Sequence, residues 1–151
     1  MATRDRFGRR KHRFDVYSSE YGRSWARTCA SRQVLRTLAR LREEPYCGRA
    51  LVCEVNGYPA GYALLISFWS NELGGEVCNI DELFVAPAFR GRGLAANLFT
   101  ALTSSEPRLW PEKPVALTLE VSPANERAGA LYERLGFRGN NLSMRLPLPN
   151  Q

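Results

Sequence analysis

The chain has 151 residues, a length typical of a single domain that can bury one sizeable core. Its charged and aromatic contents, 24% and 11%, are those of a soluble globular protein, and no apolar run approaches the roughly 20 residues of a membrane span. The basic N-terminus also lacks the apolar segment of a secretory signal. We therefore predict one cytoplasmic domain, residues 14–151, preceded by a basic, flexible tail, residues 1–13.

The sequence offers few metal ligands or redox pairs. Cys29, Cys47, Cys53 and Cys78 are scattered without C-x-x-C spacing, and the one histidine, His12, lies in the basic tail. Zinc sites and cysteine-based catalysis need closer clusters of such residues. We predict reduced thiols and no metal.

The net charge of +6 is unevenly distributed. Arginine and lysine residues crowd the tail, whereas Glu72, Glu76, Asp81 and Glu82 form an acidic cluster in the middle of the chain. A basic tail can bind nucleic acid or can be a solvated terminus, and we prefer the second interpretation because chain termini are often untethered. The remaining positive charge suits a ligand that carries phosphates.

The first predicted elements are a strand and two helices. Residues 14–17 are compatible with a short strand, and a helix is expected over residues 18–30, capped by one of the two serines that begin it. Ser31 is the predicted cap of the second helix, which the sequence 43–45 (Glu-Glu-Pro) ends. The apolar residues of this helix recur at helical spacing: Val34, Leu35, Leu38 and Leu41.

Three strands are predicted next, as an antiparallel meander. They cover residues 50–55, 59–70 and 76–85. Asn56-Gly57 is a strong hairpin signal between the first two strands, and Gly74-Gly75 interrupts the chain before the third.

The stretch 80–102 predicts the end of that strand, a loop and a helix. Pro87 ends the strand because it has no N–H group for the ladder. The loop Arg90-Gly91-Arg92-Gly93 combines glycines, which allow close backbone approach, with arginines, which suit phosphate oxygens. An apolar helical stripe starts directly after it, so unpaired N–H groups of a helix N-terminus follow the loop. The stripe consists of Leu94, Ala95, Leu98 and Leu102. We interpret the arrangement as a phosphate cradle.

Two other interpretations of this loop stay open. The first is a tight connection whose arginines are solvated. The second is a dinucleotide-binding fingerprint, since the G-x-G-x-x-A spacing is fitted by Gly91, Gly93 and Ala96, and Glu120 suits the acid that binds the ribose. That fingerprint requires its first glycine directly after a strand, and three antiparallel strands fit poorly with a doubly wound sheet. A P-loop is excluded because the Gly-Lys-Ser/Thr ending is missing.

The last third of the chain predicts a strand, a helix and a strand. Residues 115–121 are the first strand, and because a helix joins it to strand 76–85, the two strands should be parallel. Ser122-Pro123 suits the start of the following helix, and Gly136 suits its end. Residues 143–148 are the predicted final strand.

Two motifs resemble those of a known family. The segment Val85-x-x-x-x-Arg90-Gly91-Arg92-Gly93-Leu94-Ala95 resembles the acyl-CoA loop of the GCN5-related N-acetyltransferase (GNAT) superfamily, whose pattern is Arg/Gln-x-x-Gly-x-Gly/Ala. Residues 125–137, Asn-Glu-Arg-Ala-Gly-Ala-Leu-Tyr-Glu-Arg-Leu-Gly-Phe, resemble its Asn-x-x-Ala-x-x-Leu-Tyr-x-x-x-Gly-Phe helix. The two motifs in this order are stronger evidence than either alone. The resemblance covers residues 49–148 well.

The resemblance implies a fold and a cofactor. The fold class is α/β (α+β), with a central mixed, mostly antiparallel sheet flanked by helices and a parallel strand pair that splays around acyl-CoA after Val85 and Val121. Acetyl-CoA is the implied cofactor, with its pyrophosphate on the loop and its pantetheine arm along the strand. The implied cofactor-binding residues are Phe84, Val85, Arg90, Gly91, Arg92, Gly93, Leu94, Ala95 and Asn125.

The resemblance also implies catalytic residues. Tyr132 matches a tyrosine that the family often uses as general acid toward the leaving thiolate, whereas its spacing alone favours a core tyrosine on an amphipathic helix. Asp81 and Glu82 match an acidic pair of polyamine and thialysine acetyltransferases, so one of them, Asp81 by that alignment, is the expected base. Glu120 is a lesser candidate. Ordinary sheet-edge carboxylates are the alternative interpretation for all three acids.

We therefore predict an N-acetyltransferase that moves an acetyl group from acetyl-CoA to a primary amine by direct attack through a tetrahedral intermediate. The acidic cluster points to a cationic small molecule as acceptor. The alternatives are a protein N-terminal or lysine acetyltransferase, and a non-catalytic module that binds acyl-CoA or nucleic acid. Homodimers are common in the superfamily, and we expect no membrane or nucleic-acid partner.

Overall fold

The structure is a computed structural model that describes residues 31–104, 109, 113–139 and 143–148, together with the backbone of residues 12–16. The chain forms two compact units, which divide between Glu120 and Val121. The predicted helix over residues 18–30 and most of the basic tail lie outside the described residues.

In its described residues, the first unit contains a five-stranded sheet and two α-helices. Its strands are β1 (His12–Val16), β2 (Gly48–Val55), β3 (Tyr58–Ser70), β4 (Gly75–Val85) and β5 (Ala116–Leu119). Its helices are α1 (Arg32–Glu43) and α2 (Leu94–Thr103). The second unit contains α3 (Glu126–Arg134). In the part of the chain that the structure describes, no helix is long and apolar enough to cross a membrane.

The strands lie in the order β1-β2-β3-β4-β5, with antiparallel pairing from β1 to β4 and parallel pairing between β4 and β5. The predicted mixed, mostly antiparallel sheet is therefore confirmed. Asn56 and Gly57 form the hairpin between β2 and β3 with φ of 56° and 80°, the left-handed pair that matches the twist of a two-residue turn. The predicted first strand is present and begins at His12, two residues before the expected position.

Helix α1 covers one face of the sheet. The Ser31 side chain accepts a hydrogen bond from the N–H of Val34 and so caps the helix, as the sequence predicts. Of the four apolar residues predicted for this helix, three are buried, whereas Leu35 is 45% exposed. The cluster beneath the helix comprises Val34, Leu38, Leu41, Ala50, Tyr62 and Leu64. This face of the sheet is therefore apolar along α1, which fixes where the helix lies.

Helix α2 covers the opposite face. Because strand residues alternate between the two faces of a sheet, Cys53, three residues after Ala50, lies on the face away from α1. Cys53 packs there in a buried cluster with Leu94 at the start of α2. Leu98, Phe99 and Leu102 are also buried along α2. The sheet is thus flanked by helices on both sides.

The parallel pair is shorter than expected. Pairing runs from Val77–Ala116 to Ile80–Leu119 and stops there, five residues before Val85. The cause lies in β4, where Leu64 pairs with Glu82 and Leu65 pairs with Ile80, so that Asp81 is an extra, bulged residue. A bulge bends its strand and increases the local twist, which separates β4 from β5 beyond this point. Pairing of β4 with β5 therefore ends at the residue before the bulge.

The second unit is built around α3. Asn125 caps this helix by accepting a hydrogen bond from the N–H of Ala128, so the predicted start at Ser122-Pro123 is wrong by three residues. Gly136, with φ of 95°, ends the helix as predicted. Residues 143–148 form neither helix nor strand, so the predicted final strand is wrong: an alternating pattern makes a strand only where a neighbouring strand pairs with it, and no described strand pairs with these residues.

Candidate functional site

The loop between β4 and α2 presents a helix N-terminus that no side chain caps. Gly91 and Gly93 have φ of 72° and 75°, a left-handed conformation that side chains disfavour. Gly93 is the N-cap residue of α2, and the first helical hydrogen bond runs from the N–H of Asn97 to its carbonyl oxygen. The N–H groups of the first turn, from Leu94 to Ala96, therefore have no intrahelical partner. They form a ready site for an anion.

Both arginines of the loop are exposed and held at their bases. The Nε of Arg90 donates to the carbonyl oxygen of Val85 at 2.9 Å. The guanidinium of Arg92 lies 5.3 Å from the ring centroid of Phe89, a cation–π contact. These contacts keep two positive charges next to the first turn of α2, where they reinforce its attraction for phosphate.

The end of β4 has an open backbone edge. The N–H of Ala86 donates to the carbonyl of Ala60 in β3 at 2.8 Å. Because N–H directions alternate along a strand, the peptide groups of Phe84 point toward β3, whereas those of Leu83 and Val85 point away from it. No strand of the described chain pairs with that outer edge after Ile80. An extended ligand can therefore pair there with Leu83 and Val85.

The sequence alone named Phe84 beside Val85 for this edge, whereas the register directs the peptide groups of Leu83 outward. The missing signal is the register of β3 against β4, because only the register tells which alternate residues face outward. Residue type carries no such information for a backbone contact.

Asp81 and Glu82 have different surroundings. Asp81, at the bulge, is exposed. Glu82 pairs with Leu64 on the face that α1 covers, is half-buried, and accepts a hydrogen bond from the hydroxyl of Tyr62. The structure thus presents Asp81 to solvent and holds Glu82 half-buried against Tyr62.

Tyr62 is a residue of this region that the sequence analysis missed. It is buried, with 6% exposure, and its ring lies 5.4 Å from that of Phe84, the residue opposite on β4. An aromatic residue in an alternating strand predicts core packing. The diagonal contact with Glu82 depends on the register and could not be found from spacing.

The second unit carries the two remaining predicted residues on one helix. Asn125 serves as the cap of α3, and Tyr132 follows seven residues later, two turns along the same face. Burial raises the pKa of the Tyr132 phenol above its ordinary value of 10. The Tyr132 ring meets Phe137 edge-on at 5.9 Å between ring centroids, so Phe137 folds back onto the helix. A phenol of this kind is protonated at neutral pH and can donate a proton.

The thiols and acids of the described residues have no metal-binding arrangement. No group of three or more histidine, cysteine, aspartate or glutamate side chains is close enough there to hold an ion. Burial raises the pKa of the Cys53 thiol to about 11 and that of Cys78 to about 12. These two cysteines are therefore protonated members of the core. Glu120 is exposed at the end of the first unit.

Comparison with known proteins identifies the family. The model of the acetyltransferase (GNAT) family matches residues 12–137, which is most of the chain. The chain belongs to this family. Both motifs, the Arg90–Gly93 loop and the helix with Tyr132, lie within the matched residues.

A curated relative and several solved structures are similar to this family member. An uncharacterized N-acetyltransferase of Methanocaldococcus jannaschii is 38% identical over 89 residues, which cover 57% of this chain and 37% of the relative. The chain thus spans well under half of that relative's length.

Two solved structures have the same fold at low identity. One, of AAC(6')-Iy in complex with the bisubstrate analog CoA-S-monomethyl-acetylneamine, is 17% identical with a TM-score of 0.70, over 93% of this chain and 99% of that one. The other, a ribosomal-protein-alanine N-acetyltransferase from Brucella melitensis biovar Abortus 2308, is 19% identical with a TM-score of 0.64, over 91% of this chain and 100% of that one.

Proposed function

We propose that this protein is an N-acetyltransferase that transfers an acetyl group from acetyl-CoA to a primary amine. The observation that carries the proposal is the uncapped first turn of α2, which follows two left-handed glycines and a strand with an open edge. Backbone N–H groups that can bind an anion, next to an unpaired strand edge, suit a ligand in which a pyrophosphate is followed by an extended, amide-containing arm.

The residues of the loop suit the pyrophosphate. The N–H groups from Leu94 to Ala96 and the charges of Arg90 and Arg92 would hold it, and the outward peptide groups of Leu83 and Val85 would pair with the arm. Gly91 and Gly93 suit this role because, their chain neighbours aside, nothing lies within 4 Å of the place a Cβ would occupy, so a phosphate can approach the backbone there. Acetyl-CoA supplies a thioester that an amine can attack.

The chain supplies the proton transfers. A free amine is needed for attack, and Glu82 is the base we favour because the hydroxyl of Tyr62 fixes it on the α1 face, with Asp81 as the second candidate. The outward N–H of Val85 is a suitable donor to the oxygen on which charge develops. Tyr132 is the proposed acid toward the thiolate, because burial keeps its phenol protonated.

A cationic small molecule is the acceptor we favour. Glu82 lies beside the rings of Tyr62 and Phe84, and a carboxylate next to aromatic rings attracts ammonium groups. The structure of AAC(6')-Iy with an acetylneamine analog, which has the same fold, leads us to include amino sugars among the candidate acceptors. The ribosomal-protein-alanine enzyme favours a second candidate, acetylation of a protein N-terminus.

Calorimetric titration with acetyl-CoA, with NAD as the control ligand, tests the cofactor. We expect binding in the micromolar range, about −8 kcal/mol, and none of NAD. Arg90→Glu should weaken acetyl-CoA binding about a hundredfold, whereas Arg42→Glu, the same charge reversal at an exposed residue of α1, should leave it unchanged. Equal loss in both variants, or NAD binding, would contradict the proposed cofactor site.

Thiol release from acetyl-CoA, followed with spermidine, neamine and an alanine-ended peptide, tests the acceptor class. Preference for spermidine or neamine supports the small cation, and preference for the peptide supports the second candidate. Acetyl-CoA binding without thiol release in any of the three would favour the non-catalytic module.

A further inference from the structure

We propose that Tyr62 is a positioning residue that orients the carboxylate of Glu82 for proton transfer from the amine. The inference rests on the proposed function, because it assigns a role to a residue beside the proposed base. It goes further in naming a strand β3 residue as part of the machinery.

The contact follows from the register of two strands. Tyr62 lies opposite Phe84, and Glu82 precedes Phe84 by two residues on the same face. Diagonal neighbours across a strand pair are about 7–8 Å apart at their backbones, a distance that a tyrosine side chain spans. The Tyr62 hydroxyl accordingly donates to Oε1 of Glu82.

The ring that carries this hydroxyl is fixed. Tyr62 belongs to the cluster of Val34, Leu38 and Leu64, and its ring packs on Phe84. A close-packed ring has few alternative rotamers, so its hydroxyl is held at one place. A donor fixed in this way reduces the rotation of the carboxylate that accepts from it.

The other carboxylate oxygen remains available to a substrate. Among the described residues, the side chain of Glu82 makes no hydrogen bond other than that from Tyr62. The bulge directs Asp81 to solvent, so Asp81 does not share the orienting contact. Tyr62 therefore distinguishes Glu82 from its neighbour as the base.

A packing role alone would also account for a satisfied phenol, since a buried tyrosine hydroxyl usually finds an acceptor. The two roles differ in what they change. Packing affects the unfolding midpoint, whereas positioning affects turnover with the cofactor affinity intact.

Tyr62→Phe removes the hydroxyl and keeps the ring. With whichever of spermidine, neamine and the alanine-ended peptide the wild type acetylates fastest, we expect kcat to fall about tenfold or more, with KM for acetyl-CoA unchanged. Tyr58→Phe, an exposed tyrosine on the same strand, is the matched control and should keep full activity. In a Glu82→Gln background, Tyr62→Phe should not lower kcat any further. Wild-type kcat in Tyr62→Phe, or independent losses in the double variant, would overturn the proposal.

Ultraviolet difference spectroscopy tests the contact without turnover. Replacement of the carboxylate by an amide weakens the hydrogen bond from a tyrosine, so the Glu82→Gln spectrum should differ from wild type by one tyrosine band. This difference should vanish in the Tyr62→Phe background, and its persistence there would overturn the contact. If the contact is present but no amine is acetylated, the proposed function fails, and the role of Tyr62 in proton transfer is rejected with it.

Discussion

The Nε of Arg90 donates a 2.9 Å hydrogen bond to the carbonyl oxygen of Val85, the last residue of β4. This bond joins the phosphate-binding loop to the strand edge along which the cofactor arm is proposed to lie. Because the outward carbonyl oxygen of Val85 accepts this bond, the outward N–H of Val85 is the backbone group of this residue that can still bind a ligand. Arg90 therefore has a structural contact in addition to its charge.

Arg90→Lys separates these two contributions. Lysine keeps the positive charge but has no group equivalent to Nε, so we expect the Kd for acetyl-CoA to rise about fivefold, the value of one hydrogen bond. Arg90→Glu should raise it about a hundredfold, because it also places a negative charge beside the pyrophosphate. Isothermal titration measures both. Arg92→Lys, which retains a cation over Phe89, is the control and should change Kd less than twofold. An unchanged Kd in Arg90→Lys would mean that only its charge matters.

Tyr132→Phe tests the proposed general acid. We expect kcat to fall by about a hundredfold, a typical contribution of acid catalysis, with the Kd for acetyl-CoA unchanged. Because burial raises the pKa of this phenol above 10, no loss of activity through its deprotonation is expected below about pH 10 in the wild type. Steady-state kinetics and titration of the same preparation provide the measurements. Full activity in Tyr132→Phe would remove this residue from the mechanism.

Gly61→Ala and Gly129→Ala should change stability in opposite directions. A Cβ on Gly61 would meet the carbonyl oxygen of Phe84 at 2.3 Å, so β3 and β4 must separate opposite Val85. We expect a loss of about 2 kcal/mol in the free energy of unfolding, together with weaker acetyl-CoA binding. Gly129 lies inside α3 with nothing within 4 Å of such a Cβ, so alanine should add about 0.5–1 kcal/mol.

Urea unfolding of the two variants and wild type measures both effects. Equal stabilities of Gly61→Ala and wild type would show that the strands relax without cost. Destabilisation by Gly129→Ala would show that the helix face there is less open than the structure indicates.

Local sequence signals were sufficient for much of the fold. The hairpin at Asn56-Gly57, the Ser31 cap and the end of α3 at Gly136 are each set by residues within a few positions of the feature, and all three were predicted correctly. The parallel pairing of β4 with β5 also followed, because a strand–helix–strand connection has a strong preferred geometry.

Features that depend on pairing could not be predicted in the same way. The bulge at Asp81 has no residue signature, yet it determines where the parallel pair ends and which acid faces α1. Residues 143–148 have the alternating pattern of a strand, yet they form neither strand nor helix. The contact between Tyr62 and Glu82 likewise arises only when β3 and β4 adopt their register.

The buried thiols predict how stability depends on alkaline pH. Burial raises the pKa of Cys53 from 9.0 to about 11 and that of Cys78 from 9.0 to about 12. Between pH 9 and these values the unfolded chain has lost protons that the folded chain still holds, so deprotonation favours unfolding. Their contribution to stability is therefore fully present below pH 9 and is lost as the pH rises through 11 to 12.

From pH 7 to pH 10 this loss amounts to about 3 kcal/mol for the two thiols together. Urea unfolding at both pH values measures it, and the variant with Cys53→Ala and Cys78→Ala is the control for every other group that titrates in this range. We expect the wild type to lose about 3 kcal/mol more than this variant between the two pH values. Iodoacetamide at pH 8 should also spare both thiols while it labels half-exposed Cys47, since a buried, protonated thiol is a poor nucleophile. Equal pH dependence in the two proteins, or rapid labelling of Cys78, would show that these thiols are open to solvent in the folded state.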